Sequence, residues 1–440
     1  MGVFKMIEII DLRFDSEKKE LKRILERRME EDIEFRALVE EIISDVKKRG
    51  DEAVFEYTKK FDRVLITAED LKVKDYEFDR AYRSVDLAFL KAIRRAIKNI
   101  ERFHENQKTN SWFYTDEKGS ILGQICSAIE SVGIYVPGGS AAYPSSVLMN
   151  AIPAKIAGVK NIIMVTPPPR DGRLNPYVLV AASELGIKEI YKVGGAQAIA
   201  ALAFGTDSIP RVDKIVGPGN IYVATAKRLV YGYVDIDMIA GPSEILIISD
   251  ETAEASFIVA DLLSQAEHDV MASSILITTS WDVAEKVQKL LEKKTMQIER
   301  EEIILKSITN NGKIIVVNNL EEAIDLANQI APEHIEVMVR NPIEILYKIK
   351  NAGSIFLGNY SPEPLGDYMA GPNHVLPTGG TARFSSPLSV DSFIKKSSFI
   401  YYTREALEGL KEDIIRLAEA EGLYAHAESI KARFNYDELD

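Results

Sequence analysis

From about Ser131 the chain alternates short apolar runs with helix-like stretches, and this alternation limits the possible folds more than any other feature. Eight runs read as strands: 133–136, 161–166, 189–193, 214–216, 245–249, 274–278, 313–317 and 354–357. Helical patterns over 196–204, 221–229 and 253–267 separate several of them. Strand–helix alternation of this kind predicts parallel sheets with helices on both faces. Eight strands are many for one sheet. The fold class is therefore α/β, with two doubly wound, incomplete Rossmann-like parallel-sheet domains and small N- and C-terminal helical extensions.

The flanks differ. Phe35, Leu38, Ile42 and Val46 recur at helical spacing, Gly50 is a stop signal, and Asp51 is a candidate N-cap for a second helix. A third helix starts near Ser84 and carries Leu90, Ile93, Ile97 and Ile100 on one face. His104 lies at the edge of that stripe, where a helix-end imidazole meets the last carbonyls. Residues 358–387 are rich in Gly, Pro, Ser and Asn and lack periodicity, which marks a functional segment or a linker. Beyond them Leu407, Leu410, Ile414 and Leu417 predict a helical C-terminal unit.

Composition removes several classes of function. With 54 Lys+Arg against 67 Asp+Glu the net charge is −13, which opposes nucleic acid as the main partner. A single Cys excludes an internal disulfide or a Cys-rich metal site and fits a reducing compartment. No apolar run is long enough to span a membrane, and the first residues do not read as a signal peptide. The expectation is a cytoplasmic protein with neither membrane nor nucleic acid as partner. Five His remain as the scarce supply for metal or proton chemistry.

Gly-rich loops sit where predicted strands end: Pro137-Gly138-Gly139-Ser140, Gly194-Gly195-Ala196-Gln197 and Gly217-Pro218-Gly219-Asn220. A fourth, Gly241-Pro242-Ser243-Glu244, leads into a strand. Such loops let backbone N–H groups approach a ligand at the carboxyl ends of parallel strands. Turn glycine alone would explain any one of them. The strict dinucleotide fingerprint is missing, because Tyr222 stands at its third glycine position. Together the loops point to a cleft for a nucleotide or another small molecule.

Gln265 and His268 are three apart on a predicted helix, the spacing of two ligands on one metal or of a solvated helix end. Glu333-His334 follows Pro332 in a predicted loop, as an acid/base pair or a surface pair. Asp367 and His374 lie in the aperiodic segment, and Glu421 and His426 lie near the C-terminus. Cys126 has apolar neighbours and no cationic motif, so a buried structural thiol is expected rather than a nucleophile.

Taken together, these strings resemble histidinol dehydrogenases. The resemblance rests on 133–139, 194–200, 216–220, 240–244, 265–268, 331–334 and 371–378, in order and over nearly the whole chain. It implies NAD-dependent, four-electron oxidation of L-histidinol to L-histidine through histidinal, the last step of histidine biosynthesis. It implies one Zn²⁺ per subunit on Gln265, His268, Asp367 and His426, a ligand set that also suits Mn²⁺. It places NAD on Tyr135, Gln197 and Asn220, and substrate on Ser243, Glu421 and the ligand residues. His334 would be the general base, and Glu333 would activate water for the second oxidation. A homodimer with shared active sites is implied, with Glu421 and His426 reaching the partner's site.

The expected layout is an N-terminal extension over 1–25 and a discontinuous first α/β domain over 26–132 and 244–388, carrying the metal and catalytic residues. A second, NAD-binding domain covers 133–243, and a C-terminal helical extension covers 389–440. The runner-up is a related metal-dependent NAD alcohol dehydrogenase acting on another polyol or a sulfonated alcohol. A non-catalytic relative would have lost Glu333, His334 or the metal set, and none is lost.

Overall fold

The run Ile245-Leu246-Ile247-Ile248 is apolar at every position, as suits a strand covered on both faces, and all four side chains are buried. In the computed structural model, which describes residues 6–14, 33–138, 143–296, 298 and 300–434, it is the middle of a parallel strand. The early strands are β1 (Glu8–Asp11), β2 (Trp112–Thr115), β3 (Ile121–Ala128), β4 (Ser131–Tyr135) and β5 (Asn161–Thr166). Next come β6 (Glu189–Lys192), β7 (Lys214–Val216), β8 (Asp235–Ile236), β9 (Glu244–Ser249) and β10 (Ser273–Thr278). The last are β11 (Lys313–Val316), β12 (His334–Met338), β13 (Ser354–Leu357) and β14 (Ile394–Tyr401). Each strand expected from the apolar runs forms, with ends shifted by two residues or fewer.

The described chain forms two compact units. One holds the residues up to Gln107 together with Ile129–Phe393, and the other holds Lys108–Ala128 together with the chain from Ile394.

The larger unit contains two parallel sheets. The first has the order β1-β11-β10-β9-β12-β13 and the second β6-β5-β4-β7-β8. If the first strand of each set is called one, both sheets share the order three-two-one-four-five, with β1 added at one edge of the larger. The order reverses between β9 and β12, and again between β4 and β7. Such reversals leave a crevice between diverging loops.

Alternate residues feed the two faces of the larger sheet. Ile245, Ile247, Leu276 and Ile314 pack under the helices Ala255–Ala266, Trp281–Thr295 and Glu301–Asn311. Leu246, Ile248, Ile275 and Ile315 pack under the helix Leu320–Ile330. The period of two thus becomes two separate cores.

Several sequence expectations change. The described part of the supposed N-terminal extension is β1, an edge strand paired with β11, rather than helix. The helices Ile33–Arg49 and Asp51–Phe61 pack on the core of the five-stranded sheet, not on the sheet of 244–388 with which they were grouped. Gly50, at φ 56, is the N-cap of the second helix, and Asp51 is its first residue. His104 is fully buried, and its Nδ1 meets Gln107 Oε1 at 2.7 Å instead of facing terminal carbonyls.

The smaller unit is an antiparallel sheet, β14-β3-β2, with the helices Arg404–Glu408, Lys411–Ala420 and Tyr424–Lys431. β14 lacks an apolar run: Lys395-Lys396-Ser397-Ser398 fills its middle. Cys126 lies within β3 and is half-buried, not buried as expected. The buried helical face is Ile415, Ala418 and Ala427. Two residues of the expected face are turned out instead: Leu417 is 67% exposed and Leu410 is 41% exposed. No helix among the described residues is long and apolar enough to cross a membrane.

Candidate functional site

The Glu333-His334 pair stands at the amino ends of β9 and β12, not at the carboxyl ends where open parallel sheets usually bind ligands. His334 is the first residue of β12 rather than part of a loop. The helix Leu320–Ile330 ends on Ala331 in the left-handed region, at φ 53, and Pro332 then directs the chain into the sheet. Gly353 passes so close that a Cβ there would lie 2.5 Å from the Glu333 carbonyl oxygen. Only glycine fits that approach.

One peptide residue holds both side chains. The Glu244 amide donates to Glu333 Oε2 at 2.8 Å, and His334 Nδ1 is 3.0 Å from the Glu244 carbonyl oxygen. A carbonyl only accepts, so Nδ1 carries the proton and Nε2 presents a bare lone pair. Nε2 is buried and has no partner among the described residues. Burial holds His334 neutral, with its pKa pulled down to about 4. Burial also pushes the Glu333 carboxyl well above its ordinary value.

A cluster of metal-ligating groups is formed by His268, Glu363 and Asp367, whose donor atoms lie within 4.8 Å of one another. His268 follows the helix Ala255–Ala266, which also carries Gln265. Gln265 is fully buried, and neither of its amide atoms has a partner among the described residues. A buried amide left in this state costs free energy unless a ligand satisfies it. Asp367 sits in the π-helical turn Gly366–Ala370, and Asn99 holds that turn by donating to the Met369 carbonyl at 2.8 Å. His374 Nδ1 is 3.5 Å from Asp367 Oδ1. Imidazole and two carboxylates form an N/O donor set that fits Zn²⁺ or Mn²⁺.

Glu363 had no place in the sequence reading. It lies between two prolines in the aperiodic segment, and the one available signal was its position four residues before Asp367. It is buried, and burial together with the neighbouring Asp367 raises its pKa. Its amide donates to Glu336 Oε1 at 2.7 Å.

At the carboxyl ends of β4, β6 and β7 a cavity of about 1010 Å³ opens beside the order reversal of the five-stranded sheet. Tyr135, Gln197 and Asn220 all line it, so the structure brings these three together. The Tyr135 hydroxyl accepts from the Gly195 amide at 3.1 Å. Gln197 is buried and both its amide atoms lack a partner among the described residues, as a polar group awaiting a ligand would. Asn220 caps the helix Ile221–Val230 by accepting from the Val223 amide. Gly139 and Ser140 of the first Gly-rich loop fall outside the described residues.

The remaining expected residues are placed as follows. Ser243 precedes β9, and its carbonyl accepts from the Ser273 amide at 3.0 Å. Glu421 caps the helix Lys411–Ala420, and His426 lies in the helix Tyr424–Lys431. Both are exposed and belong to the smaller unit.

Comparison with known proteins shows the family. Residues 25–434 match the sequence profile of the family described as Histidinol dehydrogenase. A histidinol dehydrogenase from Caldanaerobacter subterraneus is 60% identical over 98% of this chain and 100% of its own length. One from Clostridium acetobutylicum is 56% identical over 98% of this chain and 99% of its own. The crystal structure of histidinol dehydrogenase from Elizabethkingia anophelis superposes with a TM-score of 0.93, at 40% identity and 99% coverage of both chains. The chain belongs to the histidinol dehydrogenase family of oxidoreductases.

Proposed function

We propose that this protein catalyses the NAD-dependent four-electron oxidation of L-histidinol to L-histidine through histidinal. The observation that carries the proposal is His334: a buried, neutral imidazole whose tautomer is fixed so that Nε2 is free to take a proton. Removing the alcohol proton while hydride leaves carbon is general-base catalysis, typically worth about 10²–10⁴-fold.

His334 Nε2 takes the hydroxyl proton in the first oxidation and a hydrate proton in the second. Between them a water must add to the aldehyde, and Glu333 accepts its proton. Burial suits Glu333 to this, since a carboxylate with a raised pKa is a stronger base. NAD, when bound, supplies the hydride acceptor, and Tyr135, Gln197 and Asn220 would hold it in the cavity they line. Gln265, His268 and Asp367, with His426 as a further ligand, would hold a divalent metal, which when bound would help orient the substrate. Glu363, in the same cluster, would offer a further carboxylate oxygen. Ser243 and Glu421 would complete the substrate contacts.

The shared-site homodimer fits the smaller unit. Every residue of β2 is exposed, including Trp112, Phe113 and Tyr114, and Ile400, Leu417 and Tyr424 are exposed as well. Aromatic and aliphatic side chains in such number are characteristic of an interface. Glu421 and His426 are exposed on the same unit and are free to serve a partner's site.

The test compares NADH formation on L-histidinol with that on a panel of polyols and sulfonated alcohols. Turnover of L-histidinol is expected. Turnover of another alcohol in its place would overturn the substrate assignment.

A further inference from the structure

Below the Gly217-Pro218-Gly219-Asn220 loop lies a buried ion pair that the chemistry above leaves unused. Lys227 and Asp237 make a direct Nζ–Oδ1 contact with only 3% and 1% of their side chains exposed. Both also hold the same glycine. Lys227 Nζ donates to the Gly217 carbonyl at 3.0 Å, and the Gly217 amide donates to Asp237 Oδ2 at 2.8 Å. Asp237 takes a further bond from the Met238 amide at 2.6 Å.

Gly217 itself is constrained. Its φ is +110, and a Cβ there would lie 2.2 Å from the Tyr135 carbonyl oxygen. The loop backbone therefore rests directly on the end of β4, with Tyr135 on one side and Asn220 three residues on. Both of those side chains line the cavity, and neither Lys227 nor Asp237 does.

Desolvating two charges is expensive, and a buried pair often adds little stability over an apolar one. What this pair does hold is the orientation of one peptide, through its N–H and its C=O. We infer that Lys227 and Asp237 are positioning residues for the dinucleotide: they fix the Gly217 backbone so that Tyr135 and Asn220 stand at the spacing the cofactor needs. The inference rests on the cavity being the NAD site.

The test measures NAD binding and steady-state kinetics for the intact enzyme, for Lys227→Met and for Asp237→Asn. Loss of a charge-assisted clamp should weaken NAD binding and raise its KM by about tenfold or more. The KM for L-histidinol and kcat at saturating NAD should stay within about twofold, a split that general loosening of the fold would not give. If Lys227→Met fails to fold, Asp237→Asn, which keeps the volume and removes only the charge, carries the test. Unchanged NAD affinity in a folded variant would overturn the inference. Wild-type protein that binds no NAD would overturn the reading of the cavity, and the inference with it.

Discussion

His334 and Glu333 are neighbours in sequence, yet they are tied together through a third residue. The Glu244 carbonyl oxygen lies 3.0 Å from His334 Nδ1, and the Glu244 amide lies 2.8 Å from Glu333 Oε2. Because both bonds go to main chain at the start of β9, no side-chain rearrangement is needed to keep the base in its reactive tautomer.

Replacing His334 by Asn removes the proton acceptor and leaves the metal-ligating cluster intact. Turnover should fall by at least about 10²-fold. Metal content, measured by atomic absorption, should match wild type; loss of metal in this variant would contradict the assigned role.

Glu333→Gln separates the two oxidations. Histidinal oxidation, which needs a hydrated aldehyde, should slow far more than oxidation of histidinol. Supplying each compound in turn and following NADH measures the two steps. Equal losses in both would remove Glu333 from water activation.

The pH dependence has a definite sign. His334 titrates at about 4 in the folded, metal-free chain and near 6.5 when unfolded. Between those values the unfolded chain binds a proton that the folded chain refuses. This contribution to stability is present above pH 6.5 and is lost as pH falls toward 4. Imidazole NMR of metal-free protein should show the His334 ring neutral at pH 5.5, and a midpoint near 6.5 would be inconsistent with the burial described.

If sites are shared, two inactive variants should repair each other. His268→Ala damages one subunit's share of the metal site, and His426→Ala damages what it lends. Mixed dimers would contain one intact site, so co-refolding the two should restore part of the activity. No recovery in dimers shown to be mixed would confine each site to one chain.

The parallel sheets were legible in the sequence because their strands are buried on both faces and therefore apolar throughout, as in Ile245-Leu246-Ile247-Ile248. The antiparallel sheet was not legible: β14 carries Lys395, Lys396, Ser397 and Ser398 and reads as loop. Leu417 misled for the opposite reason, since an apolar side chain on a periodic stripe is exposed here. At the site, Tyr135, Gln197 and Asn220 were indicated by the resemblance and do line one cavity. Glu363 was missed because proline on either side hides any helical spacing. The clamp by Glu244 could not be foreseen either, because it is made by backbone atoms about ninety residues away, a relation with no side-chain signature.

In the function proposed above, one protein carries L-histidinol through two successive oxidations at a metal site with His334 as base. The most direct measurement counts NADH and histidine formed from L-histidinol and NAD, with and without a chelator. The account predicts about two NADH per histidine, one for each two-electron hydride transfer, and loss of turnover when metal is removed. One NADH per substrate with histidinal released, or full activity in metal-free protein, would contradict it.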